Sequence, residues 1–353
     1  MSFKPLTSCM KVSSVLFFLL FFQFAQAQRN VIKSPYDFSP VDKKLEAVKK
    51  ELGNNVVAMI YKDGNLIYRK EIGTDFKANV QAPITGVCQW LTAAMVMTFV
   101  DQGKISLDDN VGQYLPVFNT YGKKYVTIRT CLANMTGIDA DQGVMKQTLN
   151  YENLEAAVNA FAGKHEIKNN PGVEFRYTQV GVDIAAHVCE VVGKRGFEQL
   201  MNERILRPLN MHNTSFFAAK AVNPAGGAVS TAADLTNFVA MILNKGVFNG
   251  KRILSEKAIA DMQTPQTNTN IIKYAPKGAE GLNYGLGEWV QVLSLQDTLV
   301  CHPNFEGVFP FVDNCRGYAC VFFVKETLGE SRKEIYADIK KIIDGIIPSN
   351  NCD

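Results

Sequence analysis

The segment Pro83-Ile84-Thr85-Gly86-Val87-Cys88-Gln89-Trp90-Leu91-Thr92-Ala93-Ala94 runs on to Phe99-Val100-Asp101-Gln102-Gly103-Lys104-Ile105-Ser106-Leu107-Asp108-Asp109 and opens the middle of the chain. From about Leu91 to Ile205 helical patterns follow one another, separated by loops rich in Gly, Pro and Asn. Strand signals lie on both sides of this helical stretch. Upstream, residues 56–61 and 66–72 read as two strands joined at Asp63-Gly64, a strong hairpin signal. Downstream, residues 286–292, 299–302, 309–312 and 319–324 read as strands. Helices bracket the strands. Ser39-Pro40 opens the first, which carries Val41, Leu45, Val48 and Leu52 as one apolar stripe and stops at Gly53. The last carries Ile335, Ile339, Ile342 and Ile346 and is followed by Pro348.

Two strands early and several late, with helices between, imply the α+β class. One antiparallel sheet would be assembled from both ends of the chain and flanked by the terminal helices, with a helical lobe inserted. The sheet lobe is expected over about 40–85 and 225–350, and the helical lobe over about 86–224. A groove between them is the default ligand site.

The 353 residues include 37 Lys+Arg, 34 Asp+Glu, four His and eight Cys. Lys4 and Lys11 precede an apolar run over 12–22, and Ala25-Gln26-Ala27 places small residues where a signal peptidase reads. Residues 1–27 are therefore expected to be a cleaved signal peptide, the run being far shorter than the ~20 residues that span a bilayer. The remaining domain, 28–353, holds 35 bases and 34 acids, a near-neutral balance that argues against a nucleic-acid binder. The expected location is the periplasm or the external medium, with no integral membrane segment after signal removal. No metal-ligand clustering joins the histidines 165, 187, 212 and 302, and the cysteines show no C-x-x-C spacing, so neither a metal nor a cofactor is expected. Cys315 lies in an expected hairpin turn at 314–318, with Cys320 just beyond it and Cys301 on a neighbouring strand. Either one disulfide joins two of these three, or all are small buried hydrophobes.

The opening segment strongly resembles the serine β-lactamase and penicillin-binding-protein superfamily, especially its branch of class C β-lactamases, D-alanyl-D-alanine peptidases and esterases. There a helix opens with S-x-x-K, followed by a Thr-Ala pair and a G-K-L-S-L-D-D segment. The similarity continues through Val126-Thr127-Ile128-Arg129-Thr130-Cys131-Leu132, Thr136-Gly137-Ile138, Phe175-Arg176-Tyr177-Thr178-Gln179 and Arg207-Pro208-Leu209-Asn210-Met211-His212-Asn213. Ser230-Thr231-Ala232-Ala233-Asp234-Leu235 and Tyr284-Gly285-Leu286-Gly287 extend it along nearly the whole mature chain. The resemblance implies a β-lactamase/transpeptidase-like fold and acyl-enzyme chemistry, in which the S-x-x-K serine attacks a carbonyl and the lysine helps to move its proton.

The catalytic positions depart from that pattern. The serine position is Gly86 and the lysine position is Gln89. Glycine has no side chain to acylate, and a neutral amide accepts no proton at ordinary pH. Loss of the nucleophile alone costs on the order of 10⁶ in turnover. Cys88 lies about 200° round the helix from Gly86 and reads as a buried structural thiol; Thr85 is one residue out of register. The Y-x-N motif becomes Tyr177-Thr178-Gln179, and the K-T-G motif becomes His302-Pro303-Asn304. Without a cation at 89, Tyr177 loses its reason for a lowered pKa and is equally a packed, groove-lining aromatic. Gln179 could still donate to a ligand carbonyl. His302, at the cationic position, is either a ligand contact or a surface histidine, and Asn304 should narrow the groove where glycine is usual. By resemblance, the N–H groups of Phe305 and Gly86 would form the oxyanion hole. Met135 stands where this branch often has histidine. The positive end of the helix near Gly86 is expected to favour an anion.

These departures suggest a catalytically inactive relative that keeps a groove for a small acyl or peptide-like ligand, with Tyr177, Gln179, His302, Asn304 and Phe305 as ligand-binding candidates. The alternative is an active hydrolase (esterase, D-Ala peptidase or weak β-lactamase) using another nucleophile or an activated water.

Overall fold

The computed structural model describes residues 34–140, 151–216, 218, 220–292, 298–303, 307–325, 328 and 332–349. The expected signal peptide, Asn304 and Phe305 lie outside the described residues.

The main sheet has seven antiparallel strands: β1 (Val56–Lys62), β2 (Asn65–Ile72), β3 (Asn283–Tyr284), β4 (Trp289–Val292), β5 (Thr298–Cys301), β6 (Phe309–Asp313) and β7 (Tyr318–Val324). Their spatial order is β2-β1-β7-β6-β5-β4-β3, so the first hairpin pairs with the last strand, in register from Val56↔Val324 to Lys62↔Tyr318. Both ends of the chain thus build one sheet, as expected. Asp63 and Gly64 take φ of 49° and 82°, the left-handed pair that a two-residue hairpin turn needs to match strand twist. The expected strand over 286–292 begins later, at Trp289. Gly287 has φ 83°, and its backbone packs against Ala93 and Gln89, so residues 285–288 form a turn between two short strands.

Helix α1 (Ser39–Val48) buries Val41, Leu45 and Val48, while Leu52 is buried from the turn that follows. Helix α2 (Val87–Asp101) is buried along every residue from Val87 to Phe99, as suits a helix apolar on all sides. Two of its polar groups are matched locally: Thr92 Oγ1 donates to Pro224 O at 2.8 Å, and Cys88 Sγ accepts from Ala228 N–H at 3.4 Å. Cys88 is therefore a structural thiol facing the protein interior, in agreement with its expected orientation. Helix α3 (Val180–Gly193) packs against α2, and α4 (Ala232–Leu243) packs against β7, β1 and β6.

Helix α5 (Lys333–Ile346) packs against α1 and lies on the sheet through Tyr336, whose ring stacks on Phe309 and Phe322 at 5.3 and 5.2 Å. Its buried face is Tyr336, Ile339 and Ile343, continued by Ile347; Ile339 is shared with the expected stripe, whereas Ile335, Ile342 and Ile346 each fall one residue short of a buried position. Those three isoleucines are half-buried at the margin of the face. No disulfide joins two of Cys301, Cys315 and Cys320: Cys301 and Cys320 are free and buried, while Cys315 is disulfide-bonded. Cys301 and Cys320 instead flank Phe311 across the β5-β6-β7 ladder as small apolar residues.

Candidate active site

Gly86 caps the start of α2 with its backbone already helical, at φ −55° and ψ −30°. The N–H groups of Val87, Cys88 and Gln89 donate to the carbonyls of Ile84, Thr85 and Gly86 at 2.9, 2.9 and 3.0 Å. The helix end expected to favour an anion has therefore spent these donors on its own preceding turn.

The space that a side chain on Gly86 would use is filled. A Cβ built there lies 2.8 Å from Tyr177 Oη and 2.8 Å from His302 Cε1, both closer than a carbon can normally approach. Tyr177 Oη in turn lies 3.3 Å from His302 Nε2. Tyr177 is half-buried, with its ring 5.6 Å from Trp289, 6.1 Å from Tyr284 and 6.0 Å from His302.

One helical turn on, Gln89 is 3% exposed and tied by three hydrogen bonds. Its Nε2 donates to Thr178 O at 3.1 Å, and its Oε1 accepts from Asn134 Nδ2 at 2.9 Å and from Tyr284 OH at 3.0 Å. Asn134 holds the Tyr177 segment as well, its Oδ1 accepting from Thr178 N–H at 3.1 Å. An ammonium group has no acceptor to offer, so these surroundings fit an amide and not a lysine.

His302 follows β5, where its N–H donates to Pro310 O at 3.1 Å. It is 1% exposed and so is no surface histidine; burial pushes its pKa down from 6.5 to about 3 and keeps the imidazole neutral. Its Nδ1 has no hydrogen-bond partner among the described residues. Gln179 is 2% exposed and takes the cap position of α3. Met135 is buried. The structure thus brings Gly86, Gln89, Tyr177 and His302 together, with Gln179 buried at the cap of α3.

Three residues of this arrangement were not singled out from sequence: Asn134, Tyr284 and Glu288. Glu288 is fully buried one residue beyond the Trp289↔Cys301 pair, and neither carboxylate oxygen has a partner among the described residues. Desolvation raises its pKa well above the ordinary carboxyl value. A lone acid inside the apolar run Leu286-Gly287-Glu288-Trp289-Val290 was the signal that could have marked it.

The β-lactamase family profile matches residues 46–342. The chain belongs to the β-lactamase family. Protein flp of Staphylococcus aureus (strain MW2) is 27% identical over 169 residues, covering 45% of this chain and 34% of flp, so the match spans about a third of that relative. Penicillin-binding protein 4 of Amycolatopsis lactamdurans is 23% identical over 269 residues, 65% of this chain and 70% of that protein. Among solved structures, a Bacteroides dorei (DSM 17855) protein assigned to the β-lactamases superposes with a TM-score of 0.76 at 24% identity, covering 88% of this chain and 99% of that one. EstCE1, a hydrolase with promiscuous acyltransferase activity, superposes with a TM-score of 0.70 at 19% identity over 86% of this chain and 98% of its own. At these identities the superpositions establish the fold alone. Among the described residues no helix is long and apolar enough to cross a membrane.

Proposed function

We propose that this member of the β-lactamase family holds a small acyl or peptide-like ligand in the groove at the start of α2 without hydrolysing it. The observation that carries this reading is the filled space at Gly86. Tyr177 Oη and His302 stand within 2.8 Å of where a nucleophile's side chain would begin, and the base position is a buried amide. Both halves of the S-x-x-K machinery are therefore gone, in side chain and in room. The groove would lie between a sheet lobe (about 40–85 and 225–350) and a helical lobe (about 86–224), and residues 1–27 would direct the chain to the periplasm or the medium.

The test is turnover and labelling of the purified mature protein with a chromogenic β-lactam, a p-nitrophenyl ester and a fluorophosphonate probe. No turnover above buffer and no mass increment are expected. A covalent adduct on any side chain near Gly86, Thr85 and Cys88 included, would overturn the reading. The hydrolases among the structural neighbours favour the second reading, an active enzyme using another nucleophile or an activated water, and such an adduct or measurable turnover would establish it.

A further inference from the structure

We infer that the ligand of this groove is uncharged, an amide or ester without a free carboxylate, because among the described residues the positive charge expected at positions 89 and 302 is replaced and the N–H groups of residues 87–89 are used up. The inference rests on the ligand-binding reading above and names the chemistry of what is bound.

Three positions carry it. At 89 the expected ammonium is an amide whose oxygen already accepts two hydrogen bonds. At 302 the expected cation is an imidazole 1% exposed, packed on Tyr177 and making no ion pair among the described residues. Its neutrality follows from burial, and Glu288, one step past the same Trp289↔Cys301 pair, is itself held towards its neutral form by burial. At the start of α2, three successive N–H groups are bonded to the carbonyls of residues 84–86 and do not point at a ligand. Arg176, next to Tyr177 in the chain, is exposed and turned to Glu174 at 3.5 Å.

A carboxylate entering here would shed water and meet no counter-charge from these groups, which is costly in a partly buried site. A neutral carbonyl or amide needs only one or two polar atoms and a surface to lie on. Tyr177 presents a half-buried ring for such a ligand to lie on, while His302, 1% exposed, is closed to it.

The experiment is calorimetric titration of the mature chain with N-acetyl-D-alanyl-D-alanine and with its C-terminal amide, a pair that differs in one charge. The amide is expected to bind at least about tenfold more tightly, with a ratio constant between about pH 5 and 8. Equal or tighter binding of the acid overturns the inference and leaves the ligand-binding reading standing; binding of neither removes both. His302→Lys restores a cation and should narrow the ratio at least about threefold. Should that variant fail to fold, the wild-type pH series carries the test. A ratio that collapses towards unity as pH falls would mean that His302 charges in the complex, and would overturn the inference.

Discussion

Glu288 and His302 lie one step past the same strand pair, Trp289↔Cys301, and pull the stability of the protein in opposite directions as pH changes. His302 binds its proton more weakly when folded, its pKa falling from 6.5 to about 3. Its contribution is complete above pH 6.5 and is lost as pH falls towards 3, because the unfolded chain takes up the proton first. Glu288 binds its proton more tightly when folded. Its contribution is present below the ordinary carboxyl range near 4.5 and is lost as pH rises, because the unfolded chain releases the proton first. Glu288→Gln, neutral at every pH, is therefore expected to raise the melting temperature near pH 8 by several degrees, at roughly 2–4 °C per kcal/mol for a chain of this size. Near pH 4 it should change little. His302→Gln should flatten the decline of stability between about pH 6.5 and 4. Melting curves of wild type and both variants near pH 4, 6 and 8 decide the matter. A Glu288→Gln gain that is the same at all three would show that the carboxyl is not the titrating group.

At the scale of elements, Gln89 is the tie between α2, the turn at Asn134, the Tyr177 segment and strand β3. Gln89→Leu keeps the volume but strands Tyr284 OH, Asn134 Nδ2 and Thr178 O in a buried layer. At about 1–3 kcal/mol for each buried polar group left unpaired, and with partial rearrangement, the expected loss is roughly 2–4 kcal/mol in urea unfolding. A loss under about 0.5 kcal/mol would mean that these groups find other partners. That an amide stands at 89, the lysine position by resemblance, was legible in the sequence. Its partners were not: Tyr284 is 195 residues away, and only the folded sheet brings it to α2. Local chemistry explains what could be read elsewhere. The Asp63-Gly64 turn specifies its hairpin within two residues, whereas on α5 only Ile339 of the four expected positions is fully buried and the other three fall one residue short. Periodicity gives a direction around a helix, and the stacking of Tyr336 on Phe309 and Phe322, from distant strands, sets the exact rotation. Asp63-Gly64 is a short-range fact and Tyr336 a long-range one.

For the molecule as a whole, the candidate site is drawn from three distant parts of the chain: α2, the segment 175–179 and the end of β5. A change confined to α2 therefore cannot rebuild it. Gly86→Ser with Gln89→Lys places an S-x-x-K pair at the positions that resemblance assigns to it, yet the new Cβ meets Tyr177 Oη and His302 Cε1 at 2.8 Å. The new ammonium meets two groups, Asn134 Nδ2 and Tyr284 OH, that now donate to position 89. His302 would stay neutral unless the strand end moved to expose it. The double variant is expected to show no ester or β-lactam hydrolysis above the wild-type background and to melt below wild type, since overpacking a filled site costs about 1–3 kcal/mol. Hydrolysis assays and a melting curve on the same preparation check both halves. Turnover that rises by a hundredfold or more would show that Tyr177 and His302 yield readily, that position 86 alone had silenced the site, and that the groove otherwise keeps the geometry of a working hydrolase.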